Sequence, residues 1–432
     1  MAGNVGEATR VGPAAGETGV GRIVLASLVG TTIEFYDFYI YGTAAALVIG
    51  QAFFPPSDPA TQALNAFLTF GIAFIARPLG SILFGHFGDR IGRKSTLVAS
   101  MLVMGVSTTL IGLLPGYAQA GMLAPWLLCL LRFGQGIGLG GEWGGAALLA
   151  IENAPGGRRA WFGMFPQLGP PLGFFLANGL FLLLLLGLGE EAFTAWGWRV
   201  PFLLSAVLVA IGLYVRVSLS ETPAFRETLA RNERVGVPLV EVLRHHALPL
   251  LQGSLSIVVC YALFYISTVF ALSYGVNARH IPRADFLGML CIAVIFMALA
   301  TPVAAALADR FGRRPVLLAA HVLVALSGFS LAPLLGSGGT GEILLFLSLA
   351  LGLMGLTFAP LGALLPELFP TRVRYTGASS AYNLGGILGA SLAPSLAQLL
   401  LDHGGLPFVG YYITAAAVIS FLAVASMRET KG

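Results

Sequence analysis

RFGQGIGLGGEWGG, Arg132 to Gly145, supports two incompatible folds. It carries the spacing GxGxxG (Gly136, Gly138, Gly141), which after a strand and at a helix N-terminus cradles a dinucleotide pyrophosphate. It also holds an arginine and a glutamate inside a run of glycines, with apolar sequence on both sides. Composition decides between them. Of 432 residues 56% are apolar and 10% charged, against roughly 25% charged in a typical soluble domain. Mean hydropathy is +0.84. So few charges cannot cover a soluble surface of this size, so the lipid bilayer is the solvent for most of the chain.

A spanning helix needs about 20 mostly apolar residues. Twelve such runs occur, near 22–50, 66–87, 95–114, 125–150, 161–187, 198–218, 248–276, 284–307, 315–335, 342–365, 373–401 and 407–427. Residues 1–21 are small, polar and Gly-rich, without the apolar core of a signal peptide, and read as a disordered tail. Orientation follows from Lys and Arg in the loops. With an even number of spans both termini share one side, and 19 of the 24 Lys+Arg residues fall there. Arg199, Arg279 and Arg283 lie opposite, and Arg77 and Arg132 lie within spans. Both termini are therefore expected in the cytoplasm of a cell with this inner-membrane protein. The net charge of +4 is this asymmetry, so no nucleic-acid partner is implied.

The chain is built twice. GHFGDRIGRK, Gly85 to Lys94, follows the second run and AALADRFGRRP, Ala305 to Pro315, follows the eighth, 220 residues later. Glu152 and Arg159 after the fourth run match Glu367 and Arg374 after the tenth at an offset of 215, and QLGPPLG (Gln167 to Gly173) matches NLGGILG (Asn383 to Gly389) at 216. Three echoes at nearly one offset define two homologous six-span halves. The expected architecture is all-α and polytopic: twelve transmembrane helices in two pseudo-symmetric six-helix bundles, 22–218 and 248–427. They are joined by a cytoplasmic linker, 219–247, with a short tail at 428–432. Parallel halves of this kind place a substrate path at their interface, near the bilayer midplane.

The paired GxxxDRxGR(K/R) loops, the two six-span halves and the basic linker resemble the major facilitator superfamily. EFYDF (Glu34 to Phe38), RPLG from Arg77, RFGQGIGLGGEWGGA in the fourth run and SETPAF from Ser220 narrow this to its metabolite:proton symporters. That family includes carriers for shikimate, citrate, α-ketoglutarate, proline and betaine. The resemblance implies a monomeric transporter, not an enzyme, with a small molecule and protons as its partners and spans one, four, seven and ten around the cavity. It also implies that the DRxGR loops (Gly85, Asp89, Arg90, Gly92, Arg93; Asp309, Arg310, Gly312, Arg313) gate it by latching the halves together. A purely topogenic role for those arginines is the alternative. By residue type, Asp89 and Asp309 suit helix ends, where positive dipole and neighbouring arginines meet them.

Ionisable residues within spans are costly and mark function. Five occur, Glu34, Asp37, Arg77, Arg132 and Glu142, all in the first half. At about 1.5 Å per residue, Asp37 and Arg132 share an outer level, and Arg77 lies level with Glu34 and Glu142. Two clusters are expected, Asp37–Arg132 and Arg77–Glu34–Glu142. Three acids against two arginines leave one acid over as the proton carrier. Asp37 leads, with Arg132 as the partner that releases it, and Glu34 and Glu142 are rivals. Proton-coupled sugar carriers, which set an Asp in span one against an Arg in span four, favour the same choice by resemblance. The competing reading is a permanent ion pair that only holds two spans together. At about 100° per residue, polar stripes add Tyr41, Gln135, Gln167, Asn178, Tyr261 and Tyr265 as substrate-binding candidates. Asn383 joins them as the repeat partner of Gln167. Tyr36 and Tyr39 point away and read as packing residues.

Rival functions lack their chemistry. Cys129, Cys260 and Cys291 lie in separate runs, and no His/Cys cluster suggests a metal or zinc site. The six histidines make no metal-like pair within a span, which argues against an intramembrane enzyme, and no GxxxxGK(S/T) loop serves an ATP-driven pump. No cofactor is implied. The reading is proton symport of a small organic acid by alternating access. A zwitterionic compatible solute is the alternative substrate, and uniport or export the alternative mode. In the opening stretch no strand precedes the glycines. They sort by angle into two small-residue edges (Gly136, Gly140, Gly144 and Gly134, Gly138, Gly141, Gly145) that admit neighbouring helices.

Overall fold

The computed structural model describes residues 17–91, 93–140, 143–152, 154–218, 238–337 and 339–430. Glu142, Gly92 and most of the tail and linker (1–16, 219–237) lie outside the described residues, as do the side chains of Gly85, Asp89, Arg90 and Arg93. The described residues form helices and no strand, which removes the dinucleotide reading.

Twelve helical passes account for the twelve apolar runs. The first runs over Glu17–Ala44, a π-helical turn at Ala45–Ile49 and Gly50–Phe53. The second, third and fourth are Pro59–Ile91, Arg93–Leu113 and Leu123–Leu139 continued by Trp143–Glu152. Arg159–Ala195 and Val200–Ser218 complete the first half. The seventh repeats the form of the first, with Ala247–Tyr265, a π turn at Ile266–Phe270 and Ala271–Asn277. Arg283–Phe311, Arg313–Leu335 and Thr340–Phe358 with Leu361–Glu367 follow. The eleventh is Arg374–Gly386, a third π turn at Ile387–Ser391 and the start of Ala393–Ala425. Left-handed Gly405 (φ 71°) then turns the chain into the twelfth. Among the described residues nine helical stretches are long and apolar enough to cross a membrane, the last of them (Arg374–Ala425) holding the eleventh and twelfth passes. Many large apolar side chains, such as Leu130, Leu186, Leu299 and Leu326, face outward.

Helix starts follow local chemistry. Asp58 precedes the second pass and accepts from the Thr61 amide (3.0 Å) and hydroxyl (2.6 Å), and these bonds hold its carboxyl below the ordinary value. The glycines of the fourth pass set its packing. A Cβ on Gly138 would lie 2.7 Å from the Ser100 carbonyl oxygen of the third pass. Gly136 and Gly140 face the Ala73 and Arg77 carbonyls of the second pass, and Gly144 faces Ser379 of the eleventh. One glycine edge thus admits the second and eleventh passes and the other the third, and backbone meets backbone at both.

The halves touch along the second and eleventh passes and along the fifth and eighth. At the end that carries the termini, Asp309 accepts from the Ala160 and Trp161 amides (2.9 Å each), and Gly163 abuts Gly362. At the far end Arg283 donates to Glu190 (2.8 Å), Thr194 (2.8 Å) and the Leu47 carbonyl (3.3 Å). Both ends of the interface are closed.

Candidate functional site

Between the halves, midway along the passes, Glu34, Phe35, Arg77, Leu139, Trp143, Tyr382 and Asn383 surround a cavity of about 20 Å³. That holds a water molecule and is too small for a metabolite, so entry requires the halves to part. Arg77 is the central group. It is 2% exposed, and its guanidinium lies 4.1 Å from the Phe74 ring centroid and 4.5 Å from that of Phe38. Its Nε and Nη2 find no hydrogen-bond partner among the described residues. The aromatic faces stabilise the cation but supply no acceptor for its edge. A buried guanidinium with unused N–H groups is costly, and a planar oxyanion satisfies it with two parallel bonds.

Arg132 is spent differently. It is fully buried and donates to Gln135, to the Phe70 carbonyl (2.9 Å) and to the Thr69 carbonyl (3.4 Å), with the Tyr41 ring centroid 3.8 Å away. Asp37 accepts instead from the Ser205 hydroxyl (2.6 Å) of the sixth pass. The expected pairing of Asp37 with Arg132 is thus replaced by separate partners. A shared depth does not make a pair when two backbone carbonyls and a glutamine lie closer to the arginine. The other expected group, Arg77 with Glu34, does share one cavity, while Glu142 lies outside the described residues.

The polar candidates divide. Gln135 donates to the Asp37 carbonyl and to Thr108 (2.9 Å each), Tyr41 pairs with Thr69 (2.6 Å), and Asn178 accepts from Thr43 (3.0 Å) and donates to the Phe174 carbonyl (3.0 Å). These three knit the first half together and lie off the cavity. Gln167 and Asn383 cross between halves. Gln167 donates to the Phe358 carbonyl (3.0 Å) and accepts from the Trp143 indole (3.1 Å); Asn383 donates to Ser81 (2.8 Å) and the Gly140 carbonyl (3.2 Å). Tyr261 and Tyr265 stack on each other and meet Phe74 edge-on. Tyr36 donates to the Pro201 carbonyl (3.1 Å), and Tyr39 packs on Phe174 and Phe264.

Trp143 and Tyr382, which the polar pattern missed, stack face to face across the interface with centroids 4.0 Å apart and planes 8° apart. Their place beside Glu142 and Asn383, two polar positions already singled out, was the available signal.

Of the loop residues, Asp309 reaches the fifth pass as described, and Arg310 lies over the Phe311 ring. Arg313 pairs with Asp309 (3.5 Å) and Glu367 (3.1 Å). Gly312 takes φ 104°, which leaves room for Glu429 to accept from the Arg313 and Arg314 amides (3.0 Å each). The cysteines are free, and no metal-holding group of His, Cys, Asp or Glu occurs among the described residues.

Known proteins resemble this chain in sequence and in fold. Residues 23–235 match a family model described as sugar (and other) transporter, and residues 283–431 one described as major facilitator superfamily. An inner membrane metabolite transport protein of Escherichia coli (strain K12) is 54% identical over 415 residues, covering 95% of this chain and 94% of that one. A shikimate transporter of the same strain is 37% identical over 418 residues, 95% of each chain. A solved proton:xylose symporter superposes with a TM-score of 0.75 over 95% of this chain and 96% of that one, at 17% identity.

Proposed function

From the premise that this chain belongs to the major facilitator superfamily, among its metabolite transport proteins, we propose that it is a proton-coupled symporter. It brings a small organic acid into the cell by alternating access, with the acid's carboxylate on Arg77. The supporting observation is Arg77 itself, a buried cation with unused donors in the cavity between the halves. Loop arginines support cytoplasmic termini, and hence an inner-membrane protein that opens inward at the Asp309 end. In this reading the boundaries 22–218 and 248–427 delimit two rocking bodies and one chain is a complete carrier. Asp309 latches them by capping the fifth pass. Proton coupling falls to an acid that senses the arginine. Glu34 lines that cavity, whereas Asp37 is not among its lining residues and accepts from Ser205 of the sixth pass, so Glu34 displaces Asp37 as first choice.

The test is uptake into proteoliposomes under an inward proton gradient, with labelled shikimate, α-ketoglutarate, citrate, proline and betaine. Accumulation of an acid that a protonophore abolishes is expected, with loss in Arg77→Gln and loss of gradient-driven accumulation in Glu34→Gln. Accumulation that ignores the protonophore would refute symport. Gradient-driven uptake retained by Glu34→Gln but lost in Asp37→Asn would return the coupling role to Asp37.

A further inference from the structure

We propose that the site has a single carboxylate seat, so that the substrate is a monocarboxylate with an uncharged body and moves with one proton in an electroneutral step. This rests on the symporter reading above and narrows it. Three observations lead there.

The first is a census of cations. Among the described residues, Arg77 is the arginine that borders the cavity. Arg132, the other arginine within a span of the first half, has its donors on Phe70, Thr69 and Gln135. Among the described residues the second half brings no arginine or lysine to the cavity: Arg283, Arg310, Arg313, Arg314 and Arg374 stand at helix ends, and the buried His321 of the ninth pass is not among the lining residues. A second carboxylate would find no counter-charge, and an unpaired charge in such a site carries a heavy desolvation cost.

The second is the shape of the seat. Phe38 and Phe74 lie to one side of the Arg77 guanidinium, their ring centroids 4.5 and 4.1 Å from it and 5.0 Å from each other. Its Nε and Nη2 have no hydrogen-bond partner among the described residues and are the pair of donors on which one carboxylate makes two parallel bonds. The rest of the cavity offers the rings of Trp143 and Tyr382 and the amide of Asn383. These suit a compact body, ring-shaped or hydroxylated, and do not neutralise charge.

The third is Glu34 beside the seat. Of the residues that line the cavity with it, Arg77 and Tyr382 are the charged or titratable ones. When a substrate carboxylate pairs with Arg77, Glu34 loses the benefit of that cation and gains a negative neighbour, and both changes favour taking up a proton. Binding adds one negative charge to the carrier and protonation adds one positive charge, so empty and loaded carriers differ by no net charge. Release reverses both: the acid leaves as its anion and Glu34 returns its proton to the cytoplasm. A zwitterion would need no proton, because its cationic group would pair with ionised Glu34.

The experiment uses full-length protein in proteoliposomes loaded with a pH-sensitive dye, with membrane potential clamped by potassium and valinomycin. Shikimate, α-ketoglutarate, citrate and betaine are each added outside. The expected result is entry of the monocarboxylate with internal acidification, one proton per molecule, at a rate unchanged between zero and negative-inside potential. The di- and tricarboxylates should be at least about 100-fold poorer in kcat/KM, the factor that a few kcal/mol of unpaired charge imposes. Equal or better transport of α-ketoglutarate or citrate with protons would overturn the single seat and leave the symporter reading standing. Entry of betaine without acidification, in preference to every acid, would overturn the monocarboxylate and the role of Glu34. Failure of all the acids to move would sink both readings together.

Discussion

Gly362→Ala tests whether the contact between the halves is a movable gate. A Cβ at this position would lie 2.6 Å from the Gly163 carbonyl oxygen, where ordinary contact begins at 3.4 Å, so the fifth and tenth passes must separate by about 0.8 Å. The obstacle is backbone inside a helix and cannot swing aside. Overpacking of this kind costs roughly 1–3 kcal/mol. The helix-propensity gain of Gly→Ala, about 0.5–1 kcal/mol, is common to every conformation and cancels from their ratio. The clash belongs only to conformations in which the halves meet at the terminus-bearing end. The population open at that end should therefore rise by about 5- to 150-fold. Nitroxide pairs at the exposed positions Gly156 and Thr371, which stand at that end in different halves, read it as a longer inter-label distance in nanodiscs. Gly138→Ala is the control within one half. Its Cβ would meet the Ser100 carbonyl and the Met104 amide at 2.7 Å, so it should lower the melting temperature without shifting the distances. Gly179→Ala, with open space around its Cβ, should do neither. A distance distribution in Gly362→Ala identical to that of Gly138→Ala would refute the moving interface.

Three further outcomes separate packing from transport. Arg132→Gln removes the charged bonds to the Phe70 and Thr69 carbonyls and to Gln135 and should cost about 1–3 kcal/mol of stability, with KM within about threefold of wild type by the same logic that places it off the cavity; thermal melts and uptake kinetics check this, and a large KM change without a melt shift would contradict it. Asp309→Asn weakens the cap on the fifth pass by about 0.5–2 kcal/mol, and should change turnover while KM holds; a pure affinity loss would argue against a latch. Trp143→Ala and Tyr382→Ala should couple by about 0.5–1.5 kcal/mol in a double-mutant cycle read on the same nitroxide distances, and additive effects would dissolve the stack as a working contact.

Much of the architecture was legible because bilayer solvation imposes a coarse code. Apolar length marks the passes, and the duplicated DRxGR loops mark two halves. The glycine edges of the fourth pass were readable for a related reason, since small residues at helical spacing can face only close neighbours. The site was harder. Depth along a helix set Arg77 level with Glu34, and the two line one cavity, but it also set Asp37 level with Arg132, and depth says nothing about the backbone carbonyls of Thr69 and Phe70 that take the arginine's donors. Ser205, whose hydroxyl donates to Asp37, is a small residue in an otherwise apolar run and carries no pattern. Trp143 and Tyr382 were hidden because aromatic residues in a membrane span are ordinary until two of them meet across an interface.

The π turns carry a record of their own. Ala45–Ile49 and Ile266–Phe270 stand 221 residues apart, the spacing of the repeat itself, and each widens its pass by the equivalent of one inserted residue. A widening shared at the duplication's offset is the mark that one insertion in a duplicated six-helix unit leaves in both copies. The third π turn, Ile387–Ser391, has no such twin: its repeat position, 171–175, lies in an α-helical stretch that holds Pro170 and Pro171, well before the kink at Gly189. The two halves thus share one irregularity, in the first and seventh passes, and differ in another, between the fifth and eleventh.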